Sequence, residues 1–182
     1  MKLIILDMDG VINQDSDDFI KTEQEWEAIP GSLQAIARLN HSGFHVVTAS
    51  NQSGLARGKL TMHDLNRIHR KLHTHLAQYG GVIDAIFFCP HGPDEGCACR
   101  KPEPGLLREI ESRLHTPLYG VPVIGDRLTD VQAAQTVGAR PMLVRTGKGQ
   151  KQLDEGLIPE DVPVHDDLAQ ATSALLDTPG AG

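Results

Sequence analysis

Short apolar runs alternate with longer amphipathic segments along this chain. The short runs are rich in Val, Ile, Leu and Phe and predict β-strands over Lys2–Leu6, Phe44–Thr48, Ile83–Phe88, Val121–Gly125 and Pro141–Val144. The longer segments repeat apolar residues at spacings of three and four and predict helices over Ser32–Leu39, Thr61–Leu76, Pro104–Leu114 and Leu128–Val137. Apolar strands separated by helices are typical of a parallel sheet covered on both faces. The pattern therefore predicts an α/β fold with a doubly wound parallel sheet.

Two stretches lack this periodicity. Residues 13–30 are polar apart from a few positions such as Trp26, and we interpret them as a long connection with room for a small hairpin. Connections of this length often carry function. The last residues, 177–182, predict a flexible tail. Since 182 residues fit one domain, we expect a single domain over residues 1–176.

Composition and charge exclude several classes of partner. Aromatic residues make up only 4% of the chain and the formal net charge is −7, which argues against nucleic-acid binding. No apolar run approaches the ~20 residues of a membrane span, and the N-terminal run is too short for a signal peptide. We expect a cytoplasmic protein that contacts no membrane. A monomer is expected because no apolar surface helix stands out.

Polar residues gather where the predicted strands end. They are Asp7 and Asp9 after the first strand, Ser50, Asn51 and Gln52 after the second, Arg100 and Lys101 after the third, and Asp126, Arg127 and Asp130 after the fourth. Ligands of open parallel sheets bind beyond the carboxyl ends of the strands, so we expect these side chains to converge. A single Asp-x-Asp-Gly segment is a common turn sequence. Four polar segments, in order and each at a strand end, favour a catalytic site.

This combination of residue types suits phosphoryl transfer. The carboxylate of Asp7 can attack phosphorus, which splits hydrolysis into two easier steps. Magnesium prefers oxygen ligands, and we expect it to be held by the Asp7 and Asp126 side chains with the backbone carbonyl of Asp9. Lys101 and the Ser50 hydroxyl can stabilise the charge on the equatorial phosphate oxygens. The Asp9 side chain is then free for acid and base catalysis.

A cluster of cysteine and histidine residues predicts a second metal site. All three cysteines of the chain fall in one loop, and with one histidine they form the set Cys89, His91, Cys97 and Cys99. Three thiolates and an imidazole match a closed, structural zinc site, although reduced thiols beside a surface histidine remain an alternative. The loop leads directly into Arg100 and Lys101, so zinc would help to position a catalytic cation. Other histidines, such as His69, lie in a polar helix and are expected at the surface.

The four polar segments resemble the motifs of the haloacid dehalogenase superfamily of phosphotransferases, over a stretch that reaches from Lys2 to about Leu176. The motifs are Asp7-Met8-Asp9, Ser50, Lys101 and Gly125-Asp126-x-x-x-Asp130. The resemblance implies a Rossmann-like fold with Asp7 as nucleophile, Asp9 as acid and base, and Asp130 as a supporting carboxylate. The short spacings between the motifs leave no room for a cap domain.

Within that superfamily, the Cys-Pro-His…Cys-x-Cys-Arg-Lys-Pro loop is found in the D-glycero-D-manno-heptose 1,7-bisphosphate phosphatases and in the histidinol-phosphatases. The segments 50–58 and 144–149 resemble the heptose enzymes more closely. The resemblance implies hydrolysis of the 7-phosphate of a sugar bisphosphate through an aspartyl phosphate, in the synthesis of nucleotide-activated heptose for the lipopolysaccharide core. Histidinol-phosphatase or a broader sugar phosphatase remains an alternative, and so does an idle zinc-stapled binding domain.

The same resemblance implies a set of substrate contacts, which are Asp15, Asn51, Gln52, Ser53, Arg100, Lys101 and Arg127. Arg100 and Lys101 would flank the transferring phosphate, where the guanidinium can clamp oxygens through its fork of donors. The chain departs from the family at Met8, where an Arg is often found, and at Ser50, where Thr is common. A Met8 side chain that points away from the site would leave the activity intact.

Overall fold

The computed structural model describes residues 1–177, so the predicted tail lies outside the described residues except for Asp177. The strands are β1 (Lys2–Leu6), β2 (Phe44–Asn51), β3 (Ala85–Cys89), β4 (Pro122–Gly125), β5 (Arg140–Val144) and β6 (Val164–His165). The helices are α1 (Ser32–His41), α2 (Ser53–Ala56), α3 (Met62–Ala77), α4 (Gly105–Leu114), α5 (Leu128–Thr136), α6 (Gly149–Asp154) and α7 (Leu168–Leu176).

The strands form one parallel sheet in the order β3-β2-β1-β4-β5-β6. The order runs outward in both directions from the β1–β4 pair, so the crevice of this doubly wound sheet opens beyond the carboxyl ends of those two strands. β1 pairs with β2 from Lys2↔Phe44 onward and with β4 at Ile5↔Val123. The fold class predicted from the sequence is confirmed.

The core lies on both faces of the sheet because side chains alternate along each strand. Ile4 and Leu6 point to the face that packs against α1, α3 and α7, whereas Leu3 and Ile5 belong to the cluster on the other face, beneath α4 and α5. Met8 is buried in the first cluster, so its side chain points away from the crevice. This arrangement leaves polar function to the carboxyl ends of the strands and the segments that follow them.

Side-chain caps mark the starts of α3 and α7. Thr61 caps α3 in a reciprocal capping box with Asp64, and the Asp167 side chain accepts a hydrogen bond from the backbone N–H of Gln170 at the start of α7. The apolar face of α3 then buries Leu65, Ile68, Leu72 and Leu76, as the spacing predicted. Within residues 1–177, no helix is long and apolar enough to cross a membrane.

Three expectations need correction. The connection over residues 13–30 contains no regular hairpin; isolated bridges pair Asn13 with Asp9 and with Ala28, and Trp26 is buried. β6 and the helices α2, α6 and α7 were not predicted. His69 is half-buried rather than solvated, because its ring packs edge-on against Phe88 at a centroid distance of 6.1 Å.

Candidate active site

Two aspartates of the site each lie directly after a central strand. Asp7 follows β1 and donates its backbone N–H to the carbonyl of Ile124 in β4, at 2.9 Å. Asp126 follows β4 and is fully buried. The parallel pairing of β1 with β4 therefore brings together two residues that lie 119 positions apart in the chain.

A third carboxylate and a lysine complete the buried cluster. One oxygen from each of Asp7, Asp126 and Asp130 lies within 4.8 Å of the others. The ammonium of Lys101 lies 2.5 Å from Asp130 Oδ1 and 3.2 Å from Asp7 Oδ2, and it donates a 2.6 Å hydrogen bond to the carbonyl of Ala49. Lys101 is only 4% exposed, so these ion pairs are shielded from water.

The charges of this cluster do not balance. Three carboxylates face one ammonium, and burial raises the pKa of Asp126 to about 7, with a further rise from Asp130. Burial also raises the pKa of Asp7, against the lowering effect of Lys101. Asp126 Oδ1 is buried and makes no hydrogen bond within residues 1–177. Arg127 Nε lies 3.7 Å from this oxygen and makes no hydrogen bond to it. A buried carboxylate oxygen without a hydrogen bond, in an anionic cluster of oxygen donors, fits a divalent cation such as magnesium.

Asp9 lies apart from this cluster on the same loop. Asn13 donates a hydrogen bond of 2.8 Å from its side chain to Asp9 Oδ1. Burial raises the pKa of Asp9 to about 6, and the bond from Asn13 opposes that rise. A carboxyl group with this pKa can both donate and accept a proton near neutral pH, which suits general acid and base catalysis.

The loop after β5 holds Asp126 from the opposite side. The backbone N–H of Lys148 donates a 2.7 Å hydrogen bond to Asp126 Oδ2, and the Thr146 hydroxyl donates one of 2.7 Å to the carbonyl of Gly10. Gly10 and Gly147 both have positive φ angles, and a Cβ on either would overlap the Asp126 carboxylate. Only glycine allows the two loops to close on Asp126.

A cavity of about 240 Å³ opens above these groups. Of the predicted site residues, those that line it are Asp7, Asp9, Asp15, Asn51, Ser53, Arg100, Lys101, Arg127 and Asp130. Ser50, Gln52 and Asp126 are not in the lining; Ser50 is buried and accepts a 3.3 Å hydrogen bond from the Gln52 amide. A wider groove of about 570 Å³ adjoins the cavity and shares Arg100 and Lys101 with it.

Ion pairs connect the loops that surround the site. Asp15 accepts a 3.1 Å hydrogen bond from Arg127 and lies 3.7 Å from the ammonium of Lys148. The same ammonium pairs with Asp17, and Arg127 Nε lies 3.7 Å from Asp126 Oδ1. Two cations and two carboxylates thus join the long connection at 13–30 to the loops after β4 and β5.

The four predicted zinc ligands meet in one cluster beside the cavity. The Sγ atoms of Cys89, Cys97 and Cys99 lie 3.1 to 3.6 Å from one another. His91 Nδ1 lies 3.5 Å from the sulfur of Cys89 and 3.3 Å from that of Cys99. Sulfur ligands around tetrahedral zinc are separated by about 3.8 Å, given Zn–S distances of about 2.3 Å. The donor set and its spacing therefore fit a closed zinc site, in which no ligand position is left for chemistry.

Several residues of the site were not singled out by the sequence. Asn13 and Lys148, which hold Asp9 and Asp126, and Phe19, which lines the cavity, all lie in irregular loops. Lys148 could have been found from its position just beyond the carboxyl end of β5, between Gly147 and Gly149. Asn13 and Phe19 carry no such signal, because the connection over residues 13–30 has no periodicity that orients its side chains.

The doubly wound sheet, with buried carboxylates and a lysine at its crevice, defines a phosphatase of the haloacid dehalogenase-like class. Residues 98–171 match the family model described as HAD-hydrolase-like, and residues 2–127 match the model for polynucleotide kinase 3 phosphatase. The chain is 59% identical to the D-glycero-beta-D-manno-heptose-1,7-bisphosphate 7-phosphatase of Bordetella bronchiseptica, over 97% of this chain and 98% of that one. This chain belongs to the family of D-glycero-beta-D-manno-heptose-1,7-bisphosphate 7-phosphatases.

Two further comparisons agree with this membership. The enzyme of the same name from Pseudomonas putida is 51% identical over 97% of this chain and all of its own length. The crystal structure of D,D-heptose 1,7-bisphosphate phosphatase from B. bronchiseptica, complexed with magnesium and phosphate, superposes with a TM-score of 0.94. That match covers 97% of this chain and 98% of the other, at 59% identity.

Proposed function

We propose that this chain hydrolyses the 7-phosphate of D-glycero-D-manno-heptose 1,7-bisphosphate and leaves the 1-phosphate in place. The observation that carries the proposal is the pairing of Asp7 with the buried Lys101 at 3.2 Å, in a chain 59% identical to an enzyme named for this reaction. An idle binding domain would have no need to hold three carboxylates against a phosphate site. We infer that the product feeds the synthesis of nucleotide-activated heptose.

The reaction takes two steps through Asp7. A carboxylate oxygen of Asp7 attacks the phosphorus, the bond from phosphorus to the sugar oxygen breaks, and Asp9 gives its proton to the leaving alkoxide. Water then attacks the phosphorus of the aspartyl phosphate, Asp9 takes the water's proton, and inorganic phosphate leaves. The pKa of Asp9, raised to about 6 by burial, supports both roles.

Lys101 serves the transferring phosphoryl group. Its ammonium is held between Asp7 and Asp130, so it stands beside the attacking oxygen before substrate arrives. A positioned cation needs no rearrangement when charge builds up on the equatorial oxygens. We assign Ser50 a supporting part, since it is buried and lies between Ala49 and Asn51, which both bond to Lys101.

We assign a magnesium ion to Asp7 and Asp126, with the backbone carbonyl of Asp9 as the third protein ligand. When bound, the ion offsets the repulsion between the carboxylates and the phosphate. Its support here is the anionic cluster with the unbonded Asp126 Oδ1. The B. bronchiseptica enzyme was crystallised with magnesium and phosphate, which agrees with this assignment.

We assign a structural zinc ion to Cys89, His91, Cys97 and Cys99. Four protein ligands leave no open position, so the ion would stabilise the loop and take no part in the reaction. Arg100 follows the last ligand directly and its guanidinium donates a 3.4 Å hydrogen bond to the carbonyl of His91. The zinc loop would therefore support the position of both cationic residues, Arg100 and Lys101.

The sugar and its second phosphate are assigned to the polar lining of the cavity and the adjoining groove. Arg100 is shared by both and can clamp phosphate or sugar oxygens. Asp15, Ser53 and Arg127 also line the cavity and can contact sugar hydroxyls. Gln52 is assigned a supporting part, because its amide is bonded to Ser50.

The proposal is tested by phosphate release from three substrates under identical conditions with magnesium. We expect kcat/KM for the heptose bisphosphate to exceed that for histidinol phosphate and for fructose 1,6-bisphosphate. Asp7→Asn, which keeps the shape of the side chain but removes the nucleophile, should abolish release from all three. A higher kcat/KM for histidinol phosphate would contradict the substrate assignment, and full activity of Asp7→Asn would contradict the mechanism.

A further inference from the structure

Asn51 forms a two-way clamp on the backbone of Lys101. Its side-chain Oδ1 accepts a 3.0 Å hydrogen bond from the Lys101 N–H, and its Nδ2 donates a 3.0 Å hydrogen bond to the Lys101 carbonyl. The side chain thus pairs with a loop residue much as a neighbouring strand would. The carboxamide is the one side-chain group that offers a donor and an acceptor side by side in this way.

The same strand holds both ends of Lys101. Ala49 and Asn51 both lie at the carboxyl end of β2, two positions apart. The Ala49 carbonyl accepts from the Lys101 ammonium at 2.6 Å, while Asn51 holds the backbone. β2 lies at the interior of the sheet and is hydrogen-bonded to β1 on one side and to β3 on the other. β2 can therefore hold Lys101 in place, although Lys101 itself lies in a loop.

The loop itself offers Lys101 little regular support. Between the end of β3 at Cys89 and the start of α4 at Gly105, the chain has neither helix nor strand. Asn51 pairs in register with Cys89 at the beginning of this loop and bonds to Lys101 near its end. One residue therefore ties together the two ends of the segment that carries the cation.

We propose that Asn51 is a positioning residue that acts through Lys101, rather than a group that binds the sugar. This inference rests on the proposed phosphatase function. Both polar atoms of the Asn51 side chain are already bonded to the Lys101 backbone, although the residue lines the cavity. Its contribution is to fix the ammonium relative to Asp7, so that the cation meets the phosphoryl oxygens as charge develops on them.

This role predicts a specific kinetic signature. Asn51→Leu keeps the branched shape of the side chain and removes both hydrogen bonds, and we expect kcat to fall about 10- to 100-fold because the cation is misplaced. KM should change less than about threefold, because the interaction lost is made in the transition state. The fold-loss should be the same for heptose bisphosphate and for p-nitrophenyl phosphate, which has no sugar. A residue that contacts the sugar would instead lose activity on the bisphosphate alone.

The chain offers a matched control in Asn40. Its amide makes the same pair of bonds to backbone far from the cavity, to the Phe44 carbonyl at 3.3 Å and from the Val82 N–H at 2.8 Å. Asn40→Leu should lower the melting temperature and leave kcat unchanged on both substrates. If Asn51→Leu does not fold, Asn51→Ala takes its place, since water from the cavity can reach the unpaired backbone groups there.

The outcomes separate the two proposals. Equal losses of kcat on both substrates, in a folded Asn51 variant, support the positioning role. An Asn51 variant with wild-type kcat, or with a loss confined to the heptose bisphosphate, overturns it while the phosphatase function stands. If the wild-type protein hydrolyses p-nitrophenyl phosphate but not the bisphosphate, the proposed substrate is wrong, and the comparison of Asn51 variants on p-nitrophenyl phosphate still decides the positioning role.

Discussion

The Asn13 side chain donates a 2.8 Å hydrogen bond to Asp9 Oδ1, and this links the residue proposed as acid and base to the start of the long connection. Asn13 is fully buried, and its backbone carbonyl accepts a 2.8 Å hydrogen bond from the backbone N–H of Gly10. The turn of the loop and the direction of the Asp9 carboxyl group are therefore set by one residue. Asn13 belongs to no strand or helix, yet it orients the group that moves the proton.

The first prediction concerns this bond. Asn13→Ala frees the Asp9 side chain to rotate, so we expect kcat to fall about 10- to 100-fold. The measurement is steady-state kinetics on Asn13→Ala, on Asp9→Asn and on the double variant, which together give the coupling between the two residues. If Asn13 acts through Asp9, then Asn13→Ala adds no further loss in an Asp9→Asn background. Losses that multiply in the double variant would show that the two residues act independently.

The second prediction concerns the close approach of two loops at Asp126. Gly147 has a φ of +60°, and a Cβ there would overlap the Asp126 carboxylate and the Gly10 backbone. Gly147→Ala should therefore displace a proposed magnesium ligand. The magnesium concentration for half-maximal activity should rise about 10- to 100-fold, the range typical when the support of a ligand is lost.

Gly156→Ala is the control for that experiment. Gly156 has a similar φ of +68°, but nothing lies within 4 Å of its Cβ position. It therefore carries the backbone strain of the substitution without the overlap, and its magnesium dependence should match the wild type. Equal shifts in both variants would mean that strain, and not contact with Asp126, is responsible.

The third prediction concerns the cysteine cluster. The purified protein should retain about one zinc per chain after dialysis, while magnesium is lost, because four protein ligands enclose only the zinc. Cys99→Ser should release the zinc and lower the melting temperature by about 5 °C or more, since binding stabilises the folded state. The measurement is elemental analysis of protein purified without chelators. Finding no zinc in it would contradict the assignment.

The fourth prediction is a dependence of stability on pH that is due to His69. Burial, with a further effect of His73, lowers the pKa of His69 to about 4, and its Nε2 is buried with no hydrogen-bond partner within residues 1–177. The unfolded chain binds a proton at an ordinary pKa of about 6.5, so the unfolded state holds more protons between pH 6.5 and 4. His69 therefore destabilises the fold as the pH drops through that range.

Its contribution between pH 7.5 and 5.5 should be about 1 kcal/mol of unfolding free energy. His69→Gln removes the titration, so the variant should lose about that much less stability over this interval than the wild type, as measured by urea unfolding. His63→Gln, at an exposed position in the same helix, should behave like the wild type. Identical pH dependence of His69→Gln and wild type would show that His69 is not responsible.

The fold was largely predictable because its signals are local. β1 has the predicted bounds, and the four predicted helices are found within two residues, since apolar spacing identifies a buried face. β6 has two residues, too few for a period to show. α7 was missed although Leu168, Ala171, Thr172 and Leu175 are buried at spacings of three and four, with a capping Asp167 ahead of them. That signal was present in the sequence.

The positions of site residues were predictable where strand ends determine them. They were not predictable where irregular loops determine them. Asp7, Lys101, Asp126 and Asp130 converge as expected, because strand ends in a parallel sheet share one edge. The hydrogen bonds of Asn13 and the N–H of Lys148 depend on irregular backbone, which no sequence period encodes. The half-buried state of His69 likewise depends on Phe88 of another element.

The central claim is that Asp7 removes the 7-phosphate and leaves the 1-phosphate. Phosphorus NMR of heptose 1,7-bisphosphate, followed in time with enzyme and magnesium, distinguishes the two groups directly. The account predicts that the signal of the 7-phosphate is replaced by inorganic phosphate while the signal of the 1-phosphate persists, and that Asp7→Asn leaves both unchanged. Loss of the 1-phosphate first, or turnover by Asp7→Asn, would contradict it.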